Sequence, residues 1–134
     1  MHYSEYLLTP TAIRIPARLS ERVSIMEKTL RIGIVGATGY VGVELIRILA
    51  GHRRLRLTHL VSQSYVGKML ADVYPSFRQV VDLPLQALDP DRLAAECDLV
   101  VTALPHGVSS AVVPELLDRG LKVLDHSGDF RYKD

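Results

Sequence analysis

The stretch Ile32-Gly33-Ile34-Val35-Gly36-Ala37-Thr38-Gly39-Tyr40-Val41-Gly42-Val43-Glu44 decides the fold. An apolar run breaks at three glycines spaced by three and then enters a helical pattern. Arg31 to Val35 reads as a buried parallel strand, Ala37 to Val41 as a small-residue turn, and Val43 to Leu49 as a helix with one apolar face. A helix start leaves backbone N–H groups unpaired and carries partial positive charge, so a strand delivered onto it through glycines makes a seat for a pyrophosphate. Gly36, Thr38, Gly39, Tyr40, Val41 and Gly42 are therefore candidate cofactor contacts. The common dinucleotide fingerprint is G-x-G-x-x-G. Here the turn is one residue longer, G-x-x-G-x-x-G, and a purely structural turn is the other reading of that spacing taken alone.

Working outward, a second strand is expected over Leu55 to Val61, followed by Ser62-Gln63-Ser64. An NAD site places a carboxylate there to grip the adenosine ribose. None is present, while hydroxyls and an amide accept a ribose phosphate without repelling it, and Lys68 adds positive charge nearby. Ser62, Gln63 and Ser64 thus point to NADP(H), or else form an ordinary polar loop.

Beyond a Gly-, Pro- and polar-rich excursion from Ser64 to Arg78, Val80 to Leu88 reads as a strand and Pro90 to Ala95 as a short helix. Asp98 to Ala103 is a buried strand, Gly107 or Val108 to Arg119 a helix closed by Gly120, and Leu121 to Leu124 the next strand. This alternation selects an α/β, Rossmann-like doubly wound, mostly parallel sheet, whose ligands lie beyond the carboxyl ends of its strands. Leu104, Pro105, His106 and Gly107 follow one such end, either as cofactor contacts or as a turn and helix entry capped by Ser109 or Ser110. Asp125-His126-Ser127-Gly128-Asp129-Phe130-Arg131 follows another. Ser127 and Arg131 suit a phosphate or carboxylate of a substrate; the alternative is an internal network in which Asp129 pairs with Arg131 or caps a turn.

The chain has 134 residues, 48% of them hydrophobic, and a formal net charge of +1, which suits one domain with a real core. No basic stripe suggests nucleic acid, and no apolar run is long enough to cross a bilayer. A cytoplasmic protein is expected. The lone cysteine, Cys97, excludes an internal disulfide framework and a multi-cysteine zinc site, and no metal site is expected. Residues 1–25 carry no strand or helix period leading into the glycine turn. They read as an irregular extension, and Met26 as an ordinary start, leaving residues 26–134 as the cofactor-binding domain.

GATGYVGVEL, SQSYVGK with VYPSF after it, ALPHGVS and DHSGDFR, in this order, resemble the amino-terminal part of the N-acetyl-gamma-glutamyl-phosphate reductase family over Leu30 to Asp134. The family is related to the aspartate-semialdehyde dehydrogenases, and a similar branch reduces aminoadipyl phosphate on a carrier protein. The resemblance implies a homo-oligomer that reduces a small-molecule acyl phosphate to a semialdehyde with NADPH, through a cysteine thioester. It places the nucleophile in an Asn-Pro-Gly-Cys-type segment downstream of DFR, which this sequence does not contain. Cys97 instead opens a strand, away from the carboxyl edge. The expectation is a fragment without its nucleophile, ending before the last sheet strand and the substrate and dimerisation domain, with apolar surface exposed as a result.

Overall fold

The computed structural model describes residues 28–131, so the proposed extension over residues 1–25 lies outside the described residues. Five strands, β1 (Leu30–Val35), β2 (Leu55–Val61), β3 (Leu85–Gln86), β4 (Leu99–Thr102) and β5 (Lys122–Asp125), form one sheet in the order β3-β2-β1-β4-β5. Every neighbouring pair is parallel. The helices are α1 (Tyr40–Leu49), α2 (Leu70–Val73), α3 (Pro90–Glu96) and α4 (Ser109–Asp118), with a 3-10 turn at Pro75–Phe77.

Two apolar layers sandwich the sheet. Ile32, Ile34, Leu60 and Val101 meet Ile46 of α1 together with Leu70, Phe77 and Val81. On the other face Val35, Val61 and Val100 meet Leu93 of α3 and Leu116 of α4. Ile34, Ile46, Leu93 and Leu116 are fully buried; truncating any one to alanine costs about 2 to 5 kcal/mol. Because β1 is central and apolar on both faces, it had to read as an unbroken run rather than an alternating one. Strand β5 forms one edge of the sheet, and Leu124 and Phe130 stand exposed there.

The strand expected over Val80 to Leu88 shrinks to Leu85–Gln86. Gln79 takes a left-handed φ of 64° and Val80 is exposed, so the chain enters as a turn and not as an extended run. Conversely, the excursion after Ser64 holds α2 and the 3-10 turn, which exist to bury Leu70 and Phe77. The other elements begin or end within a few residues of the expected bounds, the largest difference being that α1 starts at Tyr40.

Candidate cofactor site

The chain steps from β1 to β2 and β3 on one side, then crosses back from β3 to β4 on the other side of β1, so the order reverses at β1, which is where an open α/β sheet makes its crevice. A cleft of about 410 Å³ opens there. Its floor and walls combine the turn after β1 (Gly36, Thr38, Gly39, Tyr40, Val41), the segment after β2 (Ser62, Gln63, Ser64), and Ala103, Leu104 and Pro105 after β4. Three separate stretches of sequence converge. Leu88, Val108 and Val112 add apolar wall that sequence reading did not assign.

The three glycines do different work. Gly36 has a φ of +88°, and a Cβ there would lie 2.3 Å from the carbonyl oxygen of Ala103, so its backbone conformation and the approach of β4 both require glycine. At Gly42 a Cβ would lie 2.1 Å from the Gly36 carbonyl oxygen, which lets α1 pack directly on the turn. Gly39 is under neither constraint: its φ is −76° and a Cβ would meet nothing closer than 3.7 Å. It is the N-cap of α1 and supplies no side-chain cap. With no side chain at Gly39, and with Tyr40 and Val41 lining the cleft, the start of α1 borders a space that an anionic pyrophosphate fits. The turn is braced from outside, since the Tyr74 hydroxyl donates to the Thr38 carbonyl oxygen at 2.7 Å and the Thr38 and Ser62 hydroxyls lie 2.8 Å apart.

That last contact changes the reading of Ser62, which is buried and tied to Thr38, leaving Gln63 and Ser64 as the exposed groups at the end of β2. The Lys68 ammonium sits 5.8 Å from the centre of the Tyr65 ring, a cation–π distance. Gly42, His106 and Gly107 do not line the cleft, unlike the other residues proposed for the cofactor.

After β5, Ser127 is buried, with its hydroxyl donating to Asp125 at 2.5 Å and receiving the Asp129 N–H at 3.2 Å. Thr102 also donates to Asp125, at 2.7 Å. Burial pushes the Asp125 carboxyl up, but the hydroxyls of Ser127 and Thr102 and the Ser127 N–H outweigh it and hold the group below the usual aspartate range. Ser127 is thus committed to an internal network, while Arg131 is exposed. Asp129 does not pair with Arg131 among the described contacts. Its carboxylate accepts the Gly107 N–H at 2.8 Å and the Ser110 N–H at 3.0 Å, and lies 2.8 Å from His106 Nδ1. The cap of α4 therefore comes from Asp129 and not from Ser109 or Ser110; the Ser110 hydroxyl donates to the Gly107 carbonyl instead. A capping role for Asp129 is one of the alternatives the sequence leaves open, but which turn it caps is not legible there, because its partners lie 19 and 22 positions away.

Cys97 is buried at the amino end of β4, 3.4 Å from the Thr58 hydroxyl, and burial pushes its thiol up. Among the described residues no helix is long and apolar enough to cross a membrane, and no group of three His, Cys, Asp or Glu is placed to hold a metal ion.

Residues 31–134 match the family model described as semialdehyde dehydrogenase, NAD binding domain. N-acetyl-gamma-glutamyl-phosphate reductase of Acetivibrio thermocellus is 45% identical over 102 residues, covering 76% of this chain and 30% of that protein. A putative [LysW]-L-2-aminoadipate/[LysW]-L-glutamate phosphate reductase of Nitrosopumilus maritimus is 44% identical over 105 residues, covering 78% of this chain and again 30% of the other. Among solved structures, aspartate semialdehyde dehydrogenase with NADP from Candida albicans superposes with a TM-score of 0.69 at 26% identity, covering 79% of this chain and 32% of that one. The chain spans under a third of the length of these relatives.

Proposed function

The chain belongs to the semialdehyde dehydrogenase NAD-binding domain family, and from that premise we propose that it is the NADP(H)-holding part of an N-acetyl-gamma-glutamyl-phosphate reductase, a cytoplasmic homo-oligomer of arginine biosynthesis. The observation that carries the proposal is the N-terminus of α1 bordering a cleft at the sheet's switch point, with no described side chain capping it and no steric constraint on Gly39. The N–H groups of Tyr40 and Val41 would take the pyrophosphate. Gln63 and Ser64, with Lys68 near, would take the adenosine ribose phosphate, with Ser62 holding the turn behind them. Leu104 and Pro105 would wall the nicotinamide half, and Arg131 would hold the acyl phosphate through its guanidinium fork. When bound, the nicotinamide supplies the hydride that reduces the acyl group.

A second reading has a specific support, since the aminoadipate-branch relative is as similar as the arginine-branch one. By name the two differ in what bears the acyl phosphate, an N-acetylated glutamyl group in one and a LysW-linked aminoadipate or glutamate in the other.

Calorimetric titration tests the cofactor: NADPH is expected to bind more tightly than NADH, and the reverse order would remove the NADP assignment. The chain alone is expected to give no phosphate-dependent NADP reduction with N-acetylglutamate semialdehyde. Cys97 precedes Ala103, the cleft residue at the far end of β4, by a span of about 20 Å at roughly 3.3 Å per residue, against about 3 to 3.5 Å for reacting atoms. Turnover that disappears in Cys97→Ser would overturn this.

A further inference from the structure

The peptide between Thr38 and Gly39 carries the chain into α1, and Gly39 does little to fix it. Gly39 is extended, with φ −76° and ψ 169°, and has no side chain to cap the helix or restrain the backbone. Glycine moves between extended and helical conformations at little steric cost. The helical ladder opens with the Val43 N–H on the Gly39 carbonyl at 2.9 Å, and among the described hydrogen bonds the N–H groups of Tyr40, Val41 and Gly42 have no acceptor. A helical Gly39 would lengthen α1 by one residue and bring the Thr38 carbonyl onto the Gly42 N–H, because a helical N–H bonds the carbonyl four residues earlier. The Thr38 carbonyl instead accepts from the Tyr74 hydroxyl at 2.7 Å.

Tyr74 is itself held by its own segment. Its N–H donates to the Leu70 carbonyl at 2.8 Å and its carbonyl accepts the Phe77 N–H at 3.0 Å. Its ring meets that of Phe77 edge-on, with centroids 6.5 Å apart, and Leu70 and Phe77 are both buried. Pro75 disfavours a helical backbone at the residue before it. Tyr74 lines a cavity of about 470 Å³ that shares Thr38, Gly39 and Tyr40 with the cofactor cleft, but it does not line the cleft. The hydroxyl therefore bears on the turn from a different side than the cofactor would.

We propose that Tyr74 is a positioning residue for the pyrophosphate: its bond to the Thr38 carbonyl keeps Gly39 extended, and so keeps the N–H groups at the start of α1 free for the cofactor. This rests on the cofactor reading of the cleft. The polar excursion between β2 and β3, which carries Val73-Tyr74-Pro75-Ser76-Phe77, thereby contributes to binding without touching the ligand. The Thr38 and Ser62 hydroxyls hold the same turn through the Thr38 side chain, which leaves its peptide to Tyr74.

The test titrates the full chain, wild type and Tyr74→Phe, with NADPH and with adenosine 2′-phosphate, which carries the ribose phosphate but no pyrophosphate. Phenylalanine keeps the ring against Phe77 and removes only the hydroxyl. NADPH affinity should fall by about tenfold in Tyr74→Phe, the scale of one lost hydrogen bond. Adenosine 2′-phosphate should bind both proteins equally, because Gln63 and Ser64 are untouched; a merely structural role for Tyr74 would weaken both ligands or neither. The backbone NMR shifts of Gly39 should move toward helical values in the variant. Unchanged NADPH affinity, an equal loss for the two ligands, or an unmoved Gly39 signal overturns the proposal. Wild type that binds no NADPH overturns the cofactor reading and this inference with it, whereas wild type and Tyr74→Phe that bind NADPH equally overturn this inference alone.

Discussion

Two ten-residue helices start at the same edge of the sheet, and their N-termini are treated in opposite ways. Helix α4 receives a buried carboxylate from Asp129, twenty or so residues downstream, which accepts the Gly107 and Ser110 N–H groups. Among the described residues no side chain does the same for helix α1, whose N-cap is a glycine without a side chain to fold back. Both ends carry the same partial positive charge. One is neutralised from within the fold and contributes to holding loops together; on the proposed function, the pyrophosphate of the cofactor would neutralise the other. The difference shows that a bare helix start is informative when a neighbouring helix in the same chain is capped, because the fold had the means to cap both.

The largest effect expected from disturbing this comparison is at Gly36, on which the open end depends. Gly36→Ala forces a left-handed φ on alanine and drives its Cβ into the Ala103 carbonyl, for a loss of roughly 3 to 4 kcal/mol in urea unfolding. A loss below about 1 kcal/mol would mean the turn relaxes freely and does not hold α1 in place.

Next is Gly39→Asp, which gives α1 the internal anion that α4 already has. Space for the side chain exists, so the melting temperature should stay level or rise slightly, by the few tenths of a kcal/mol that separate aspartate from glycine at an N-cap. NADPH affinity should drop by about a hundredfold or more, near 2.7 kcal/mol. Retained affinity would show that the ligand does not use this helix end.

The smallest of the three concerns what holds the inner anion in place. Asp125→Asn should cost about 2 kcal/mol at neutral pH, because Ser127 and Thr102 lose a charged acceptor. The folded-state pKa of Asp125 is lowered, so its stabilisation is present above the ordinary aspartate value of about 3.9 and is lost as pH falls through the depressed one. The wild-type acid unfolding limb should therefore be steeper than that of Asp125→Asn in that range. Parallel limbs would contradict the network.

Local signals made most of the scaffold legible. The unbroken apolar run of β1, the glycine punctuation and the alternation after Pro90 each express a preference of neighbouring residues, and the structure has strands and helices there. Where burial is scattered, the reading failed. Leu70, Phe77 and Val81 are buried one by one across a polar stretch with no period to detect. Val80 to Leu88 looked like a strand from composition, yet Gln79 and the exposed Val80 break it. At the site, backbone roles could be assigned from glycine spacing, but hydroxyl roles could not. Ser62 and Ser127 stay open in the sequence between ligand contacts and a polar loop or internal network, because their partners, Thr38 and Asp125, are chosen by the packing of loops or by a turn and not by any residue type at that position.

The sheet order also sets a timetable. Strands β1 and β2 are joined by a single crossover and can pair early, but the other side of β1 waits for β4, and the Arg31 N–H finds the Asp98 carboxylate 67 positions along the chain. Long loop closure precedes that reward, so any chain in which β4 arrives late would hold β1 with one edge of its ladder unpaired and its apolar residues open to other chains. Substitutions that delay the arrival of β4 should therefore lower the yield of folded protein more than they lower its final stability.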